Sequence, residues 1–153
     1  MVDDVSIARD ALAGRVAKQG HSVVKAADGL EALEALASGS FDLVLLDLVI
    51  PNMDGYEVLE RMKADQALRD IPVIIITGVE EMDSVIRCIE AGADDYMLKT
   101  VEPELLQARI KASLEKKHWR DWQRELVDQL VAAIAKIERG QTDVRLDVIG
   151  DDI

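Results

Sequence analysis

Leu43–Leu46 and Ile71–Ile76 are short stretches that are apolar without interruption. Runs of this length bounded by turn residues are strands buried on both faces. Such strands sit in parallel sheets covered by helices on either side. Between and around them the apolar positions recur every three or four residues, the period of an amphipathic helix. Residues 5–19 carry Ile7, Ala8, Ala11, Leu12 and Val16 on one face and stop at Gly20. Asp28-Gly29-Leu30-Glu31 opens a second helix as a capping box, with Leu30, Leu33 and Leu36 as its inward stripe and Gly39 at its end. Residues 55–64 form a third, with Val58, Leu59 and Met62 inward, and residues 80–91 a fourth that ends at Gly92. His21–Ala26 and Asp95–Lys99 read as further short strands. A last helix begins at Glu102-Pro103, where proline suits the first turn, and turns Leu106, Ile110 and Leu114 inward.

Strands alternating with helices predict repeated βαβ units and an α/β doubly wound parallel sheet. Right-handed crossovers bring the carboxyl ends of the strands to one edge. Three runs end there on a polar residue: Asp47, Thr77 and Lys99. The pattern also needs a strand ahead of the first helix, and only Met1-Val2 precede Asp3-Asp4. The first strand is therefore expected to be truncated.

The final helix has no glycine or proline to stop it before Gly140. Trp119, Trp122, Leu126, Leu130, Ile134 and Ile137 follow at spacings of three and four, and both tryptophans of the chain lie here. An apolar stripe beyond the domain it started from marks an interface, and we expect a homodimer through residues 119–139. In residues 140–153, Val144, Leu146 and Val148 alternate with polar residues as in an edge strand. The expected organisation is a domain over 1–117, a helical extension over 118–139 and a polar tail over 140–153 that either stays disordered or forms a strand.

Composition refines this picture in three places. The net charge of −12 argues against direct contact with nucleic acid, since phosphate binding needs a basic surface. The single cysteine, Cys88, excludes an internal disulfide and fits a reducing, cytoplasmic setting. No stretch approaches the length of a membrane span. Cys88 falls on the apolar side of its helix and reads as inert packing. His21 and His118 have no partners at ligand spacing.

The polar strand ends suggest a chemistry. Asp3, Asp4 and Asp47 gather negative charge at one edge, and a divalent cation relieves their repulsion. Oxygen-only ligands favour Mg²⁺, which takes one or two carboxylates together with phosphate oxygens. Lys99 offers a positive charge to an anion and Thr77 a hydroxyl donor. Metal on one side, ammonium and hydroxyl on the other, and a carboxylate between them describe a phosphoryl site with Asp47 as acceptor.

Asp3-Asp4, Asp47, Pro51-x-Met53-Asp54-Gly55-Tyr56, Thr77-Gly78, Gly92-Ala93-Asp94-Asp95-Tyr96 and Lys99 occur in the order found in one family. Over about residues 2–117 the chain resembles the receiver domain of bacterial two-component response regulators. The resemblance implies a flavodoxin-like fold of strand order 2-1-3-4-5. It implies that Asp47 accepts a phosphoryl group from a sensor histidine kinase or a phosphotransfer protein. It further implies that Asp3, Asp4, Asp47 and the backbone carbonyl of Val49 hold Mg²⁺, and that Thr77 and Lys99 bind the phosphoryl oxygens. Thr77 and Tyr96 would form the switch that reports phosphorylation. Two positions depart from the family pattern: the first strand is cut to Met1-Val2, and Thr100 stands where a cis proline usually follows the lysine. A cis bond before threonine costs roughly 3 kcal/mol, so a trans bond is expected.

Two rival functions remain open at this stage. An aspartate-nucleophile phosphatase of the haloacid dehalogenase type uses Asp-x-Asp, but Asp47-Leu48-Val49 lacks the second aspartate. A degenerate receiver would bind partners without phosphorylation. The leading reading is a phosphoacceptor regulator whose only chemistry is its own phosphorylation and dephosphorylation, and not an enzyme.

Overall fold

The computed structural model describes residues 1–3, 5–78 and 81–140, with residues 6–8 described by their backbone alone. Three strands form a parallel sheet in the order β1 (Val44–Leu46), β2 (Val73–Thr77), β3 (Asp95–Leu98). Five helices surround them: α1 (Ser6–Lys18), α2 (Gly29–Ser38), α3 (Gly55–Ala64), α4 (Met82–Glu90) and α5 (Pro103–Glu138). The register pairs Leu46 with Ile75 and Thr77 with Leu98.

Strand side chains alternate between two faces, and each face has its own core. Val44, Leu46, Val73 and Ile75 pack with Ala32 and Leu36 of α2, Val58, Leu59 and Met62 of α3, and Cys88 of α4. Leu45, Ile74, Ile76 and Met97 pack with Val16 of α1 and Leu106 and Ile110 of α5. That division is the doubly wound architecture expected from the continuous apolar runs, which have no polar face to spare.

The segment expected to hold a first strand is present as single rungs. Val2 bridges Ala26 on one side and Leu46 on the other, both in parallel. Four backbone hydrogen bonds hold it: Val2 N–H to Leu45 O (2.8 Å), Asp47 N–H to Val2 O (3.0 Å), Asp3 N–H to Ala26 O (3.1 Å) and Ala26 N–H to Met1 O (2.9 Å). Val2 thus lies between Ala26 and Leu46, in the slot that the order 2-1-3-4-5 reserves for a first strand.

Three local expectations are corrected. His21–Ala26 is not a strand: only Ala26 makes a bridge, and Val24 is exposed. Its neighbour in the sheet is Val2, which bridges it at Ala26. In α2, Leu30 is exposed and the buried positions are Gly29, Ala32 and Leu36. A Cβ on Gly29 would stand 2.8 Å from the Cβ of Met53, so α2 meets the loop after β1 through this glycine and Leu30 turns away. In α1, Ala13 is buried and Ala11 exposed. The capping box of α2 forms with a small displacement: Asp28 accepts from the N–H of Glu31, while the Glu31 carboxylate accepts from Ala27 rather than Asp28.

The chain divides into two compact units, Met1–Leu114 and Glu115–Ile153. Helix α5 runs unbroken from Pro103 to Glu138, with Leu106 and Ile110 buried in the first unit. The strand expected in the tail falls on residues 141–153, outside the described residues, as does the start of the helix expected from residue 80.

Candidate functional site

Asp47 stands one residue past β1. Its N–H is held by Val2, and its carboxylate sits at the carboxyl edge of the sheet, 4% exposed. Asp3, one residue past the Val2 bridge, is 3% exposed. Lys99, one residue past β3, reaches back across the edge. Its Nζ lies 2.7 Å from Asp47 Oδ2 and 2.9 Å from Asp3 Oδ2. The strand register explains the convergence, since parallel neighbours end side by side.

The second oxygen of each carboxylate meets a backbone amide. Val5 N–H donates to Asp3 Oδ1 (2.9 Å), and Val49 N–H makes a long bond to Asp47 Oδ1 (3.3 Å). Burial of the Lys99 ammonium pushes its pKa down, but the hydrogen bonds and charges of Asp47 and Asp3 outweigh this and hold it above the usual lysine value. Two buried carboxylates share one ammonium, and the Arg9 guanidinium donates to the backbone carbonyl of Asp3 (3.0 Å).

Thr77 closes β2 on the same edge and is 1% exposed, with its carbonyl accepting from the N–H of Lys99 (2.9 Å). Tyr96 lies on β3 opposite Ile75 and packs, half-buried, against the core under α2, α3 and α4. The Val49 side chain is exposed. No peptide bond is cis among the described residues, in keeping with a trans bond before Thr100. Asp4, the third carboxylate of the expected metal set, lies outside the described residues. Among the described residues no three His, Cys, Asp or Glu side chains gather as metal ligands.

The loop from Asp47 to α3 is tied down at several points. Gly55 N–H donates to Leu48 O (2.9 Å), and Asp54 caps α3 by accepting from Glu57 N–H (2.9 Å). Asn52 adopts φ 66°, a left-handed conformation that asparagine tolerates. Its side-chain amide donates to Asp28 Oδ2 (2.9 Å), joining this loop to the cap of α2. Sequence reasoning missed that link, because the two residues are 24 apart and each has an ordinary turn role by itself. It also set Lys99 opposite the carboxylates expected to hold a metal, whereas the lysine bridges two of them, Asp3 and Asp47.

Such an arrangement defines a class: a doubly wound α/β domain with an acidic site, countered by lysine, at the carboxyl ends of its strands. The chain belongs to the response regulator receiver domain family, which it matches over residues 1–111. It is 37% identical over 116 residues to the probable transcriptional regulator ycf27 of Cyanidium caldarium, covering 76% of this chain and 45% of that protein. It is 31% identical over the same length to the DNA-binding dual master transcriptional regulator RpaA of Synechocystis, covering 76% of this chain and 48% of that one. Among solved structures it resembles a CheY-like response regulator receiver domain from Methanospirillum hungatei, with a TM-score of 0.73 and 29% identity. That match covers 78% of this chain and 94% of the other.

The chain spans about half the length of the curated relatives it matches. One of those relatives is named as DNA-binding. The exclusion of nucleic acid drawn from net charge is therefore not supported: an acidic receiver says nothing about what the rest of a regulator touches. Among the described residues no helix is long and apolar enough to cross a membrane.

Proposed function

We propose that this chain is a phosphoacceptor receiver in which Asp47 takes a phosphoryl group from a sensor histidine kinase or phosphotransfer protein. The observation that carries the reading is the buried carboxylate of Asp47 held 2.7 Å from Lys99 at the sheet edge. A carboxylate oxygen forms a bond to phosphorus as the bond to the donor breaks, and the electron pair leaves with the donor. Lys99 engages Oδ2 at 2.7 Å, whereas Oδ1 accepts a long hydrogen bond from Val49 N–H (3.3 Å). Oδ1 is thus the better placed nucleophile. Thr77 and Lys99 then take the phosphoryl oxygens, and Thr77 with Tyr96 carries the change to the surface around α4 and β3.

The donor set fits Mg²⁺. Asp3 and Asp47 are hard oxygen ligands, they are buried, and their combined charge exceeds that of the one ammonium between them. Asp3, Asp4, Asp47 and the carbonyl of Val49 would hold the ion, which supplies charge neutralisation for the incoming phosphoryl group. The chain's own residues supply position: Val2 fixes the backbone of Asp47, and Lys99 fixes its side chain.

Incubation with Mg²⁺ and acetyl phosphate tests the reading. Intact-mass measurement should show a gain of about 80 Da, the mass of one phosphoryl group. The gain should vanish in Asp47→Ala. No gain in the wild-type chain would leave a receiver that works without phosphorylation, and steady release of phosphate from esters would point to a phosphatase.

A further inference from the structure

The second compact unit displays an apolar stripe that the receiver chemistry does not use. In α5, Val127, Leu130, Val131, Ile134 and Ile137 are between 43% and 60% exposed. Four of them, Val127, Leu130, Ile134 and Ile137, are spaced three, four and three residues apart, the seam of a heptad repeat. Together the five expose on the order of 500 Å² of apolar surface, a size at which a patch marks an interaction site.

We propose that this stripe is the interface of a parallel, two-stranded pairing with a second copy of the chain. Three observations single out that occupant. First, the residue types match a dimer seam: Val127 and Ile134 are branched at Cβ in the a positions and Leu130 is at d, the combination that favours two parallel strands; Ile137 is the exception at d. Second, the flanks are self-compatible. In a parallel pair Leu126 of one copy faces Val131 of the other, so no like charges oppose each other beside the seam. Third, the area suffices. Two copies paired along the stripe bury on the order of 1,000 Å², the lower bound of a specific interface. In proteins most of a helix's stability comes from packing an amphipathic face rather than from propensity.

Light scattering on the full, unphosphorylated chain tests this from about 1 to about 100 µM, the range of moderate self-association. The expected mass is twice the 16.9 kDa of one chain. The double variant Leu130→Glu, Ile134→Lys should run as a single chain with an unchanged near-native circular dichroism spectrum. The control Ile86→Lys, Ile89→Lys, on the exposed apolar side of α4, should stay dimeric. Val127→Cys should form a disulfide between copies under mild oxidation, because only a parallel pair sets the two thiols face to face and Cys88 is buried. A monomer at the highest concentration overturns the proposal. So does a trimer or tetramer, loss of the dimer in the α4 control with retention in the α5 variant, or a dimer without the Val127→Cys link. If a chain ending at Gly140 dimerises while the full chain does not, residues 141–153 cover the stripe instead, which also overturns it.

Discussion

Gly55 is packed directly against the backbone of Asp47: a Cβ built on it would overlap the Asp47 carbonyl oxygen and stand 2.7 Å from the Cα of Leu48. Backbone cannot swing aside as a long side chain can. Gly55→Ala is expected to cost about 1–3 kcal/mol, the usual penalty of overpacking. Urea unfolding measures it. The same variant should slow acetyl phosphate labelling of Asp47, since the acceptor is displaced along with its loop.

Removing the ammonium of Lys99 strands two carboxylates that are nearly inaccessible to water. Breaking a buried pair costs about 3–5 kcal/mol, and the 30% exposure of Lys99 places the loss near the lower end. Lys99→Met should lower the urea midpoint accordingly. Asp47→Asn, which leaves the lysine one carboxylate, should cost less. Equal losses in the two variants would contradict the geometry.

Acid should act through Asp28. The N–H of Glu31 and the side chain of Asn52 both donate to its carboxylate and hold its pKa below the ordinary aspartate value. A depressed folded-state pKa stabilises the fold above the unfolded value and loses that contribution as pH falls through the folded one. The wild-type chain should therefore lose stability below about pH 4, the ordinary aspartate range. In Asp28→Asn the cap is kept and the charge removed, so its thermal midpoint should fall less over the same range.

Leu30 and Leu36 belong to one helix and one sequence pattern but to different environments, 49% and 6% exposed. Leu36→Ala should cost about 2–5 kcal/mol, as core truncations do. Leu30→Ala should stay within about 0.5 kcal/mol, as surface changes do. Paired denaturation curves distinguish them.

Cys88 is fully buried on the inner side of α4, where the neighbouring Arg87 guanidinium lies 3.8 Å over the ring of Tyr56. Burial pushes its thiol pKa up. The thiolate is the reactive form, so thiol reagents at pH 8 should label the native chain slowly and the urea-unfolded chain at once. Rapid native labelling would show that α4 opens.

Much of the fold was legible because the apolar runs left little choice. Val44–Leu46 and Val73–Ile76 have no polar face, so they had to be central strands with helices on both sides. Val58, Leu59 and Met62 repeat at helical spacing and are all buried. What escaped depended on distant partners. His21–Ala26 has strand-like composition, but among its residues only Ala26 finds a bridge partner, Val2. Leu30 fits the stripe of α2, yet the close approach of Gly29 to Met53 rotates it outward. At the site, the strand ends named Asp47, Thr77 and Lys99 in advance. The bridging position of Lys99 between Asp3 and Asp47 was not legible, because side-chain reach is decided by the sheet's register and not by local pattern.

Val2 has one rung of pairing on either side, and those rungs border both Asp3 and the amide of Asp47. Among the described residues, these single rungs are what set its alignment. Slipping by a single residue would exchange the faces of its side chains and carry Asp3 out of reach of Lys99. The ion pair and the docking of Met1–Asp3 are therefore one event. Lys99 latches Met1–Asp3 into the middle of the sheet, and any ligand that draws Lys99 away from Asp3 loosens that segment as well.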